Sequence, residues 1–203
     1  MPLGSHTMEF PRRIRIGEGI LGELGDFIEF PAGRRSAVIA SGANVQEKVK
    51  GVVTDSIGSP VEWVEVDSSD MKNVERVMKT SSEAYCIIGI GGGKSVDVGK
   101  LAAHRINLPF FSVPTSASHD GISSPFASIS GMGTHYSERA KPPVGILADI
   151  EVIAAAPRRL EVPRPLPLGT CAAVVRRRPP PNWRSRSARG EEAKRPISRS
   201  APT

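Results

Sequence analysis

Apolar and polar positions alternate between two periods along this chain. The run "SAVIAS" (36–41) is a short buried-strand pattern, and in "NVQEKVKGVVTDSIG" (44–58) Val45, Val49 and Val52 or Val53 recur at helical spacing. "VEWVEVD" (61–67) predicts a second strand and "MKNVERVMKT" (71–80) a second helix. "AYCIIGIG" (84–91) predicts a third strand whose unbroken apolar character implies burial on both faces. A helix follows from about Lys94 to Arg105, with Val96, Val98, Leu101 and Ala102 on its apolar side, and then a fourth strand, "LPFFSVPT" (108–115), stopped by Pro114. Alternating strands and helices with short connections predict an α/β fold, a Rossmann-like parallel sheet covered by helices and joined by right-handed crossovers. Ligands of such sheets sit at the carboxyl ends of the strands.

Two polar segments fall at those ends. "GIGGGKSVDVGK" takes a strand through three glycines, Gly91 to Gly93, into a helix. Open backbone N–H groups and the positive end of a helix dipole then form an anion cradle, which a pyrophosphate can approach because no side chain blocks it. Ser95 can add a hydroxyl, and Asp97 is expected inside the first turn, holding the turn or a ligand hydroxyl. The pattern is neither GxGxxG nor the Walker GxxxxGK(S/T), so an ATPase is not expected. The plainer alternative is a tight turn that uses glycine for its dihedral freedom alone. The second segment, "SVPTSASHDGISSPFASI" (112–129), crowds Thr115, Ser116, Ser118, Ser123 and Ser124 around His119 and Asp120. Across neighbouring strands the two segments would face one ligand.

With 203 residues, one domain of ordinary size is expected, with or without part of a second. The net charge of +6 suggests nucleic acid until it is located: residues 1–160 hold 17 Lys/Arg against 18 Asp/Glu, and residues 161–203 hold 10 against 3. The basicity belongs to the tail and says nothing about what the front part binds. No apolar run approaches the roughly 20 residues of a membrane span, and no signal-like start is present, so a cytoplasmic protein without a membrane partner is expected. Cys86 and Cys171 make neither a disulfide framework nor a metal cluster. "MPLGSHT" ahead of Met8 resembles a tag or an overlong start, so residues 1–8 are set apart from the fold.

Three ordered segments, "GGGKSVDVGKLAA", "PTSASHDGISSPFASI" and "KPPVGILADIEVIAAAPRRL", resemble sn-glycerol-1-phosphate dehydrogenase. This is the archaeal-type branch of the glycerol dehydrogenase, iron-dependent alcohol dehydrogenase and dehydroquinate synthase superfamily. The Asp-Gly-Ile-Ser-Ser-Pro segment favours this branch over glycerol dehydrogenase, and the absence of a VDSSxGGK-like segment disfavours dehydroquinate synthase. The resemblance spans about Glu9 to Leu160 and implies a dinucleotide-binding α/β domain over 9–160. It implies reduction of dihydroxyacetone phosphate to sn-glycerol 1-phosphate, for archaeal-type membrane lipids, with NAD or NADP and with Zn2+ between two domains. It also implies a small-molecule substrate and allows a homo-oligomer; nucleic acid is not expected as a partner. Carried over by motif, Gly92, Gly93, Lys94, Ser95, Val96 and Asp97 bind the cofactor pyrophosphate and neighbouring ribose. Thr115, Ser116, Ala117, Ser118 and Ser124 contact the cofactor, and Asp120 touches the substrate. Asn44 stands where an acidic residue would favour a ribose hydroxyl, which leaves NADP open.

After Leu160 the family's helical, metal-binding second domain is expected to be largely missing. Residues 161–203 hold eight prolines and nine arginines, no Gly-Asp pair and no histidine, since the last histidine is His135. That composition reads as a disordered, non-family tail, expected to arise from a shifted reading frame or a truncation. Without metal ligands the chain is expected to show little or no turnover. The alternatives are a nucleotide-binding module without catalysis, a glycerol dehydrogenase-like polyol oxidoreductase, and an RNA-contacting tail through Arg176 to Arg178 and Trp183.

Overall fold

A computed structural model describes residues 9–32, 36–117, 120–131 and 134–156. The tag-like start and the basic tail lie outside the described residues. Six parallel strands form one sheet in the order β1-β8-β5-β4-β2-β3. They are β1 (Arg13–Gly17), β2 (Ala37–Ser41), β3 (Val61–Glu65), β4 (Cys86–Gly91), β5 (Phe110–Pro114) and β8 (Gly145–Asp149). The helices are α1 (Leu24–Ile28), α2 (Ala43–Ile57), α3 (Met71–Thr80), α4 (Gly93–Arg105) and α5 (Ile150–Ala154). A short 3-10 turn, Ile20–Glu23, follows β1, and another, Asp120–Ile122, precedes an antiparallel hairpin of β6 (Phe126–Gly131) and β7 (Thr134–Arg139).

Strand periodicity builds a core on each face. In β2, Val38 and Ala40 pack with Val74 and Val77 of α3 and with Val96, Leu101 and Ala102 of α4. Ala37 and Ile39 point the other way, to Leu24 and Phe27 of α1 and Val49, Val53 and Ile57 of α2. Every residue of β2, β4, β5 and β8 is buried, because helices or loops cover both faces and leave no polar side to the pattern. The strands and helices expected between residues 36 and 115 are present with ends shifted by at most two residues. Of Val52 and Val53, the latter is the core residue; Val52 is half exposed.

Close approach of α4 to the sheet fixes where the glycine turn stands. A Cβ on Gly89 would lie 2.9 Å from Phe110 Cζ and 3.1 Å from the Ser95 carbonyl, and one on Gly99 would lie 3.0 Å from Phe110 Cε2. Glycine at both positions lets the helix sit directly on β4 and β5.

Cys86 is buried in β4, and loss of hydration pushes its thiol up to about 12. Iodoacetamide at pH 8 is expected to leave Cys86 unmodified in the native protein and to alkylate it in urea, with peptide mass mapping separating it from Cys171. Equal labelling with and without urea would contradict this packing. Among the described residues no helix is long and apolar enough to cross a membrane.

Candidate dinucleotide cleft

The chain reverses its direction across the sheet at β2. It moves outward to β3, then returns to β4 on the other side and continues to β5. Crevices open at the carboxyl ends of strands flanking such a point, here β2 and β4. A cleft of about 630 Å³ lies there, lined by Leu21 and Gly22, by Asn44 to Val52 on one side of α2, by Gly92 and Thr115, and by Asp149 and α5.

The glycine turn reaches the cleft through Gly92. Gly91 has φ 151°, and a Cβ there would lie 2.7 Å from Ser95 Oγ, so this position excludes other residues by both backbone and space. Gly92 is the N-cap of α4 with extended backbone and no side-chain cap, and the first turn of the helix contains no acidic residue. The helix end therefore offers its early N–H groups and dipole to the cleft without an internal carboxylate to neutralise them. The Thr115 N–H donates to the Gly91 carbonyl at 2.9 Å, which locks the β5 end against the turn. Ser116 Oγ would be 3.6 Å from a Cβ on Gly92. The two segments singled out in the sequence thus meet at Gly92, Thr115 and Ser116.

The other candidate residues occupy different places. Asp97 does not stand in the first turn: α4 opens at Gly93, so Asp97 lies one turn further in, 2 % exposed, with Oδ1 3.5 Å from Lys100 Nζ. Val96 is a core residue, and its N–H closes the helix onto the Gly92 carbonyl at 3.2 Å. Ser95 is buried under the turn. Lys94 is exposed and reaches sideways, its Nζ donating to the Asp67 carbonyl at 3.0 Å. The Asn73 amide and the Ser68 hydroxyl hold the Asp67 carboxyl below its usual range. Ala117 is exposed, and Ser124 closes a turn, its Oγ 3.4 Å from both the N–H and the carbonyl of Phe126. Asp120 opens the second 3-10 turn. Ser118 and His119 lie outside the described residues.

Two charged residues that shape the site were not picked out from the sequence. Asp149 caps α5 while accepting from the Leu21 N–H at 2.8 Å and the Gly19 N–H at 3.2 Å, fastening the loop after β1 to the end of β8. Lys100, fully buried, donates to the carbonyls of Gly121 and, at 2.7 Å, Phe126. It therefore holds the loop that carries Asp120 onto α4. An Asp before "IEV" is a legible cap signal, and Asp97 and Lys100 at i,i+3 on an apolar helix are a legible buried-pair signal.

A parallel six-stranded sheet with a glycine turn at its topological switch point defines a Rossmann-like α/β domain. Residues 15–157 match the iron-containing alcohol dehydrogenase family, and the chain belongs to it. Over 164 residues it is 39% identical to a Metallosphaera sedula protein named glycerol-1-phosphate dehydrogenase, NAD(P)+, covering 79% of this chain and 47% of that one. A Cenarchaeum symbiosum protein of the same name is 44% identical, over 78% of this chain and 46% of its own length. Among solved structures, a glycerol dehydrogenase from Schizosaccharomyces pombe superposes with a TM-score of 0.69 at 26% identity, over 77% of this chain and 41% of that one. The chain spans about half the length of the curated relatives it matches.

Proposed function

We propose that this chain carries the nucleotide-binding part of an NAD(P)-dependent dehydrogenase that reduces dihydroxyacetone phosphate to sn-glycerol 1-phosphate, as the names of its relatives suggest. The observation that carries the reading is the side-chain-free start of α4 at Gly92, open to the cleft beside Thr115 and Ser116. In this reading the N–H groups of Gly92, Gly93 and Lys94 take the pyrophosphate, and the α4 dipole offsets its charge. Ser95 supports the turn from below, and Thr115, Ser116, Ala117, Ser118 and Ser124 border the cofactor. The apolar wall of Val45, Val49 and Val52 keeps water from one side of the bound dinucleotide. Asp120 meets the substrate, and Asp97 acts through Lys100, which sets the position of the Asp120 loop.

A nicotinamide cofactor, when bound, supplies the hydride for the carbonyl carbon. Among the described residues no three His, Cys, Asp or Glu side chains form a group able to hold a metal.

The test is a fluorescence titration of the 203-residue chain with NADH and NADPH, repeated with Gly92→Val. Wild-type binding that valine weakens by at least about tenfold is expected, because the branched side chain fills the space a phosphate oxygen needs and one such contact is worth about 1.4 kcal/mol. A folded Gly92→Val protein that binds as well as wild type would overturn the cradle.

A further inference from the structure

The amino ends of β1, β4, β5 and β8 surround a second cavity, of about 270 Å³, at the opposite end of the strands from the dinucleotide cleft. Gly145, the first residue of β8, lines this cavity and Asp149, the last, lines the cleft, so about 13 Å of strand separates them. The two share no lining residue, and the dinucleotide reading leaves the second one unused.

Its inner wall is aromatic. The Phe27 and Phe111 rings stand edge to face with centroids 6.2 Å apart. A Cβ on Gly145 would lie 2.8 Å from Phe27 Cε1 and 3.1 Å from Phe111 Cδ1, so glycine at the start of β8 lets both rings close in there. Tyr85 and Val144 extend the wall. An apolar cavity of about 150 Å³ is enough to hold benzene, so this larger one admits a single ring with a short polar group.

The rim is cationic. Arg13 is oriented from two sides: Nη1 donates to the Phe27 carbonyl at 3.0 Å, and the guanidinium carbon stands 5.6 Å from the centroid of the Phe27 ring. Its Nη2 lies 2.8 Å from Oε1 of Glu29, which ends α1 in the left-handed region at φ 53°. These two side chains are 42% and 66% exposed, and an ion pair so open to water holds weakly. A carboxylate of the chain itself thus marks the place a ligand's carboxylate would take, and only screened attraction keeps it there. The Arg12 N–H donates to the Val144 carbonyl at 3.0 Å, which seats Arg12 at the same rim. Among the described residues Arg12 has no ion-pair partner. Two arginines against one glutamate leave the lining positive, so a ring that carries an anionic group matches wall and rim together.

We propose that this cavity binds small aromatic carboxylates: Arg12 and Arg13 take the carboxylate in exchange for Glu29, and Phe27, Phe111 and Tyr85 take the ring. The site is independent of the dinucleotide reading.

The experiment titrates the 203-residue chain with benzoate and, in parallel, with inorganic phosphate, following amide NMR shifts. Benzoate is expected to bind with a Kd of about 1 mM, the strength a single-ring ligand can supply, and to move the Tyr85 and Gly145 amides but not that of Gly92. Phosphate, which has no ring to bury, is expected to bind at least about tenfold more weakly. Arg12→Ala is expected to weaken benzoate by about tenfold, the worth of one charged contact, and Glu29→Gln to tighten it by about threefold, because the resident carboxylate no longer competes. Both positions are exposed, so neither substitution reaches the core, and circular dichroism verifies folding. Folded wild type whose Tyr85 and Gly145 amides stay unmoved at about ten times the expected Kd overturns the site, as do shifts centred on Gly92. Unchanged benzoate affinity in Arg12→Ala and Glu29→Gln would mean a ring partitioning into an apolar gap, and phosphate binding as tightly as benzoate would mean surface charge alone. Either result removes the proposal.

Discussion

Lys100→Met is expected to lower the unfolding free energy by about 3–5 kcal/mol. The Lys100 side chain has no exposed surface and that of Asp97 is 3% exposed, with 3.5 Å between their charged atoms. The ammonium also donates to the carbonyls of Gly121 and Phe126. Removing it takes the cation away from a carboxylate in the core and leaves two carbonyls without that donor, so part of the desolvation cost of these groups is no longer offset. Combining Lys100→Met with Asp97→Asn removes both charges, so the double variant is expected to be more stable than Lys100→Met alone. Urea unfolding at neutral pH measures both. A single-variant loss below about 1 kcal/mol would mean that the pair behaves as a hydrated surface bridge.

Asp149→Ala is expected to cost about 2–4 kcal/mol, the sum of a lost helix cap and charge-assisted hydrogen bonds to backbone. The carboxylate is 2% exposed, its Oδ1 accepting from Gly19 and, at 2.9 Å, Glu151, and its Oδ2 from Leu21. It is the knot between a loop near the start of the fold and a helix near its end, and both border the cleft. Asp149→Asn keeps one acceptor oxygen, enough for the cap, and is expected to recover only part of the loss because the Leu21 N–H then meets an amide donor. Urea unfolding gives the total, and amide exchange at Gly19, Leu21 and Glu151 locates it. Unchanged exchange at Gly19 and Leu21 in Asp149→Ala would refute the knot.

The central part of the fold was legible because its strands and helices satisfy their own periodicity. Val38, Ile39 and Ala40 read as a buried strand, and Val45, Val49 and Val52 or Val53 as one side of a helix, with no need of distant partners. β1 was not legible: its burial pattern is exposed along most of its length, since only one edge pairs, with β8, and Ile14 and Ile16 remain open. β6 and β7 were hidden for a related reason. They form a two-stranded sheet of their own, and the serines of "ASISG" alternate with Ala127 and Ile129, which pack on the α4 face.

The site divides in the same way. Gly91 to Gly93 announce themselves locally, because a positive-φ turn feeding a helix start is a property of consecutive residues. Thr115 and Ser116 could be placed at a strand end, and β5 being next to β4 brought them to that turn. The sequence by itself therefore determined the order of the alternating elements, the parallel sheet class and the glycine turn, since each depends on residues within a few positions of one another. Only the tertiary structure decided that Asp97 belongs to Lys100 rather than to a ligand-facing turn, that Asp149 ties residues 128 to 130 positions away, and that Asn44 and Lys48 share a cleft with Gly92. The reason is that burial and pairing of charge depend on which chain segments lie across the sheet, and no local pattern encodes the neighbour on the far side.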